Sequence, residues 1–210
     1  RWLKGNPNGV EDDAAMRAYV LHSARPDACA AVRAGEWVST GWPAPVTMQV
    51  LPLSDQGLVA GPLSCRVCTP QHHGMDAGEF FPMGLNAEMP GDQRADDALP
   101  VCFDGAALEA PLDLMGAAVL RLRVSSDQPL AFLVARLCDA GPDGSSVRIA
   151  HGMLNLCHRK SRETPERMVP GRAEQVEIVL DQMAYRLAPG HHLRLALSTT
   201  YWPFLWPSPE

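Results

Sequence analysis

Only a few places in this chain have residue types and spacings that could do chemistry. An α/β-type serine hydrolase needs Gly-x-Ser-x-Gly, because its nucleophile sits on a strained strand-to-helix turn that only small neighbours permit. No serine here has that surrounding, and Ser145 and Ser146, which follow Gly144, fall in a hairpin return. A phosphate-cradling glycine loop, a dinucleotide fingerprint and a His-Glu-x-x-His pattern are also missing. Cys65-Arg66-Val67-Cys68, followed by His72 and His73, is the best metal candidate, since two thiolates and an imidazole could converge on a tetrahedral zinc. It is a single knuckle with no second at a familiar spacing, so it reads as ordinary loop and strand residues. Cys157-His158 has the types for a nucleophile and base, but adjacent strand residues point to opposite faces.

Two further groupings stand out. Asp92-Gln93-Arg94-Ala95-Asp96-Asp97 gathers three carboxylates around one arginine. It reads as a solvated loop with its own ion pair, as an interdomain latch or site rim, or as a calcium-holding cluster. Trp2, Trp37, Trp42, Trp202 and Trp206 are either core and interdomain packing or a platform on which a sugar stacks. The ending Tyr201-Trp202-Pro203-Phe204-Leu205-Trp206-Pro207 is too apolar for a free tail and is expected to be covered, either by this domain or by a missing neighbour.

The elements that would position these residues are clearest after about residue 100. Leu120, Leu122 and Val124 alternate with Arg121 and Arg123, the period-two pattern of a half-buried strand. Leu130 to Cys138 is apolar on both faces except for Arg136, as in a central strand. Asp139 to Gly144 is a turn returning into Val147 to Leu156, because Pro142-Asp143-Gly144 supplies a fixed φ and then a position that tolerates φ > 0. Val176, Ile178 and Leu180 alternate, Pro189-Gly190 turns, and Leu193, Leu195 and Leu197 alternate again. Four or five strands of this kind predict an antiparallel sandwich. In the first hundred residues, Met16 to Leu21 and Val46 to Leu53 are strand candidates. Clusters of Pro, Gly, Asp and Gln interrupt Ser54 to Pro100, a stretch expected to lie over a surface or to face another domain.

Composition agrees. Proline (19) and glycine (17) are abundant, which favours short strands and turns over a helical bundle. With 18 Lys and Arg against 24 Asp and Glu, the net charge of −6 leaves no basic face for nucleic acid. Trp37 to Ser54 carries no charge, but Pro43, Pro45 and Pro52 argue against a membrane-spanning helix. Six cysteines are sparse for this length and are expected to be free thiols in a cytoplasmic protein. The chain opens at Arg1 without a basic-then-apolar leader, which suggests a piece of a longer polypeptide.

Several blocks, in order, resemble one family. Arg1-Trp2-Leu3-Lys4-Gly5 is similar to the end of the catalytic domain in X-Pro dipeptidyl-peptidases and cocaine-esterase-like serine hydrolases, the CocE/NonD group. The later blocks resemble landmarks of that family's C-terminal domain. They are Gly91-Asp92-Gln93-Arg94 with Asp96-Asp97, Leu137-Cys138-Asp139 through Pro142-Asp143-Gly144, Gly152-Met153-Leu154-Asn155 with His158-Arg159, Pro189 to Arg194, and Ser198 to Pro203. The resemblance implies an all-β, jelly-roll (galactose-binding-like) antiparallel β-sandwich with long irregular loops. Residues 1–15 would end the upstream catalytic domain and its linker, and residues 16–210 would form the sandwich, lacking its last strands. The family's Ser-Asp-His triad would lie in an upstream α/β-hydrolase domain, so no catalytic residue, cofactor or metal is carried over. The implied role is non-catalytic: packing on that domain, shaping the substrate pocket from one side, and contributing to a homo-oligomer. Asp92, Arg94 and Asp97 are the candidate interdomain latch or pocket rim, and Trp202 the packing anchor. The alternatives are a carbohydrate-binding module and an oligomerisation domain.

Overall fold

A computed structural model describes residues 9–208. The first family-like block, Arg1 to Gly5, and Trp2 within it lie outside the described residues. Eight strands form: β1 (Met16–His22), β2 (Gly35–Thr40), β3 (Val101–Asp104), β4 (Leu112–Val124), β5 (Phe132–Ala140), β6 (Ser146–Asn155), β7 (Glu174–Leu187) and β8 (His192–Ser198). One helical turn, α1 (Arg94–Asp97), precedes β3. The strands make two four-stranded sheets, ordered β2-β1-β7-β4 and β3-β8-β5-β6. All neighbours are antiparallel except a short parallel contact of β1 with β7.

The alternating residues put the core between the sheets. Val176, Ile178, Leu180 and Leu120 from one sheet meet Leu133, Ala135, Leu137, Leu195 and Leu197 from the other. Burying such side chains supplies about 25 cal/mol per Å² of apolar surface, the dominant favourable contribution to folding. Close approach of β6 to β7 requires Gly152, where a Cβ would lie 2.8 Å from the Ile178 side chain and from the Val179 carbonyl oxygen.

The second sheet is covered on its other face as well. Residues 133, 135 and 137 of β5 point into the core, while Val134 packs on Ala77 and Tyr201 from loops lying over the sheet. The irregular stretch from 54 to 100 therefore forms an additional layer, which is why β5 is buried along almost its whole length.

One expectation needs correction, and two strands form that were not expected. Val46 to Leu53 forms no strand, because three prolines interrupt donor continuity from 43 to 52 and no strand lies alongside. In contrast, β2 and β3 form where alternation is weak, since cross-strand pairing with β1 and β8 decides them. Within this domain the apolar ending is only partly covered, with Tyr201 fully buried and Trp206 69% exposed, which leaves the rest for a neighbour.

Candidate functional site

Arg136 is the single charge between Leu130 and Cys138, and it organises the most polar part of the interior. Strand parity turns it away from the core toward the loop layer, where its side chain is completely buried. Its Nη2 lies 2.9 Å from Asp97 Oδ1, an ion pair by proximity rather than an aligned hydrogen bond, and its Nε meets no acceptor. Nη1 donates to Gln93 Oε1 at 2.9 Å, and the guanidinium carbon stands 5.1 Å from the Tyr201 ring centroid. Asp97 Oδ2 accepts from Ser146 Oγ at 2.6 Å and from Arg194 Nη1 at 3.2 Å.

His73 completes the shell. Its Nδ1 donates to the Thr200 carbonyl at 2.7 Å, which leaves the Nε2 lone pair to accept from Arg136 Nη2 at 3.2 Å. Burial, reinforced by the charge of Arg136, holds this imidazole below its ordinary pKa and hence neutral. Gln93 is used at both ends: Oε1 also accepts from Tyr201 Oη, and Nε2 donates to the Asp76 and Gly91 carbonyls. Asp96 accepts from the backbone N–H groups of Gly74 and Asp76. An aromatic column continues outward from Arg136 through Tyr201 and Phe204 to Phe80, with centroid separations of 5.6 and 5.8 Å.

The acidic cluster is thus not a solvated loop. Gln93, Asp96 and Asp97 are buried and tie the loop layer to β5, β6 and β8. Asp92 and Arg94 remain at the surface, 3.4 Å apart, with Asp92 also accepting from the Ser146 N–H. Trp202 contacts Trp206 at 5.1 Å between ring centroids and is partly exposed. The four candidate residues therefore divide: Asp97 serves the interior of this domain, and Asp92, Arg94 and Trp202 reach solvent.

Elsewhere the candidate groupings among the described residues stay apart. Cys65 and Cys68 are exposed, whereas His73 is engaged with Thr200 and Arg136. Among the described residues, no group of three or more His, Cys, Asp and Glu could hold a metal ion. Cys157 is buried, with its N–H bound by Asn155, and His158 Nδ1 donates to the Ser161 carbonyl, so that pair shares no hydrogen bond. All six cysteines are unpaired, and burial pushes the Cys138 thiol up to about 12 and the Cys102 thiol up to about 11, which makes both poor nucleophiles.

A third buried carboxylate, Asp139, binds His191 Nδ1 at 2.7 Å, Tyr185 Oη at 2.9 Å and Ser23 Oγ at 2.5 Å. Across Gly141, Ser145 gives its hydroxyl to Asp143 at 2.6 Å instead of to His191, so no nucleophile–base pair forms. A cleft of about 770 Å³ lies between residues 63–71 and the β4–β5 end, with Leu133, Leu156 and Leu197 among its apolar lining. No helix among the described residues is long and apolar enough to cross a membrane.

The profile of the X-Pro dipeptidyl-peptidase C-terminal non-catalytic domain matches residues 8–210. The chain belongs to that family. It is accordingly a non-catalytic C-terminal domain. It is 28% identical over 118 residues to cocaine esterase from Rhodococcus sp. (strain MB1 Bresler), a match covering 54% of this chain and 20% of that protein. Among solved structures, a CocE/NonD family hydrolase from Staphylococcus aureus aligns over 100% of this chain and 39% of its own, with 18% identity and a TM-score of 0.65. An α-amino acid ester hydrolase aligns over 62% of this chain and 24% of its own, with 21% identity and a TM-score of 0.55. At these identities the structures speak for the fold. The chain spans about a fifth of the length of the curated relatives it matches.

Proposed function

We propose that this sandwich works as the accessory C-terminal domain of a serine hydrolase, an acyl esterase or X-Pro dipeptidyl-peptidase, packing on an α/β-hydrolase catalytic domain and shaping one side of its substrate pocket. The observation that carries the reading is the family match along the chain, whose relatives are several times longer. Residues 1–15 lead from that catalytic domain, and Asp92, Arg94 and Trp202 lie at the junction, with Asp97 anchoring the segment that bears Asp92 and Arg94. The exposed large hydrophobics outside the sandwich support a covered surface of this kind. The test is hydrolysis of a short-chain nitrophenyl ester and of Gly-Pro-nitroanilide by the full-length polypeptide and by this chain. Activity in the full-length protein alone is expected, and the preferred substrate names the bond. Turnover by this chain would refute the accessory role. Arg94→Ala in the full-length protein is expected to lower its melting temperature, and an unchanged curve removes Arg94 from the junction.

A second reading, glycan binding, has one supporting observation. On the outward face of β1 and β2, Arg17 pairs with Ser39 and Tyr19 with Trp37, and Arg17, Trp37 and Ser39 line a shallow cleft of about 260 Å³. Trp37 is 71% exposed and meets Tyr19 edge-on at 5.3 Å. Tryptophan fluorescence that ignores a panel of sugars would dispose of this reading.

A further inference from the structure

Resting on the accessory-domain reading above, we propose that the turn spanning residues 78–88, with the 202–206 segment beside it, is the preformed face against which the catalytic domain of the same polypeptide docks. Exposed apolar side chains are common in this chain, and what distinguishes these is the rigidity of their base. Met75, Phe80, Phe81, Met83, Leu85 and Trp206 are each between 64% and 74% exposed. Beneath them, one carboxylate oxygen of Glu88 accepts three backbone N–H groups, from Met83 at 2.8 Å, Gly84 at 2.7 Å and Leu85 at 2.8 Å. These bonds hold the Glu88 carboxyl below its usual range even though its own burial opposes the shift. The Glu79 N–H donates to the Glu88 carbonyl at 2.9 Å, closing the turn at its base.

The backbone takes unusual conformations to do this. Ala87 has φ of 62°, the one positive value at a non-glycine position among the described residues. At Gly78, with φ of 79°, a Cβ would come within 2.8 Å of the 88–90 backbone. Gly74 lies flush against the next segment, since a Cβ there would fall 2.3 Å from the Trp202 carbonyl oxygen. Ala77 is wholly buried, and Phe80 ends the aromatic column that starts at Arg136.

A segment anchored in this way cannot turn its apolar side chains inward. Residues 80–86 are Phe-Phe-Pro-Met-Gly-Leu-Asn, without a charge, and the flanking Glu88 is consumed by the turn itself. An uncharged apolar centre within a polar rim is the anatomy of a protein interface. By contrast, the exposed Val46, Met48, Val50 and Leu51 stand on a segment with one short-range backbone bond, Val46 N–H to the Ala44 carbonyl, and no such clamp. The occupant follows from chain length: about three-fifths of the Staphylococcus aureus hydrolase lies outside the region matched here. A partner on the same polypeptide is held at an effective concentration on the order of millimolar, so a patch smaller than a free dimer requires is enough.

Methionine oxidation by dilute peroxide in the full-length polypeptide tests this, because Met83 and Met48 are 73% and 80% exposed in the domain and act as probe and control. Docking through the 78–88 turn is expected to slow Met83 at least about tenfold relative to Met48, independently of protein concentration, with Phe81→Ser/Leu85→Ser restoring the faster rate. A fast Met83 beside a slow Met48 would overturn this face and leave the accessory-domain reading standing. Both fast would overturn this face as well, the accessory-domain reading being decided by the hydrolysis comparison above. A slow Met83 that becomes fast on dilution would assign the face to a second copy and overturn the same-chain partner.

Discussion

Residues 101–198 and residues 23–100 are organised in opposite ways. In the first region, leucine, isoleucine and valine side chains are enclosed between the two sheets, and few large apolar groups face water. In the second, the buried side chains are nearly all polar (Ser54, Thr69, His73, Gln93, Asp96 and Asp97, with Ala77), while tryptophan, phenylalanine, methionine and valine stand outside. The sandwich is held by the removal of apolar surface from water. The loop layer is attached to it by hydrogen bonds, one buried ion pair and a few apolar contacts from Leu53, Leu58, Val67 and Ala77, which leaves most of its large apolar side chains available for contact. A charged anchor of this kind adds little net stability compared with a hydrophobic substitute, but it is costly to break from one side.

Breaking one side should therefore have the largest effect. Asp97→Ala strands Arg136 in a completely buried position and is expected to destabilise the domain by about 3–5 kcal/mol in urea unfolding. A loss below about 1 kcal/mol would mean that water or a neighbour takes over the guanidinium. Within the sandwich, Leu133→Ala opens a cavity between the sheets and is expected to cost about 2–5 kcal/mol. If Asp97→Ala shifts the fluorescence of Trp202 and Trp206 before the main transition while Leu133→Ala does not, the layer and the sandwich are separable units.

Acid should distinguish them next. His73 and His151 are both held below the ordinary imidazole value, by burial first and then by Arg136 and Arg148 respectively. Below about pH 6.5 the unfolded chain takes up protons that the folded chain refuses, so stability falls with decreasing pH by at most about 1.4 kcal/mol per unit for each histidine. His73→Gln should flatten part of this slope, and an unchanged slope would clear His73 of it. Glu174, bound by Arg159 and then Arg172, is depressed to about 2. Its contribution is complete above the ordinary carboxyl range and is lost as pH falls from about 4.5 through about 2. The smallest effect is expected on the outer surface: Phe81→Ser should change the stability of the domain itself by no more than about 0.5 kcal/mol, as measured by thermal unfolding.

Some of this was readable along the chain. The alternation at 120–124, 176–180 and 193–197 predicts strands that form, and Pro142-Asp143-Gly144 predicts the hairpin between β5 and β6. Arg136 stood out as the lone charge in the apolar run from Leu130 to Cys138, and Asp92–Asp97 as a cluster needing partners. That these two belong together could not be read, because Gln93 and Arg136 are 43 residues apart and no local period links them. The Glu88 clamp is local, with acceptor and donors three to five residues apart, yet glutamate three to five residues after glycine or methionine has no distinctive sequence pattern.

The sequence by itself determined the β character, the second half's strand pattern, the missing nucleophile elbow and the family blocks, because each depends on residue types at short, regular spacing. Only the tertiary structure decided that Asp97 is an internal anchor while Asp92 and Arg94 stay at the surface. It also decided that His73 serves Arg136 rather than the neighbouring thiols, and that the apolar turn at 78–88 is held outward. Those outcomes depend on which segments the two sheets bring together, and the desolvation that makes a charge need its partner exists only after the chain has closed around it.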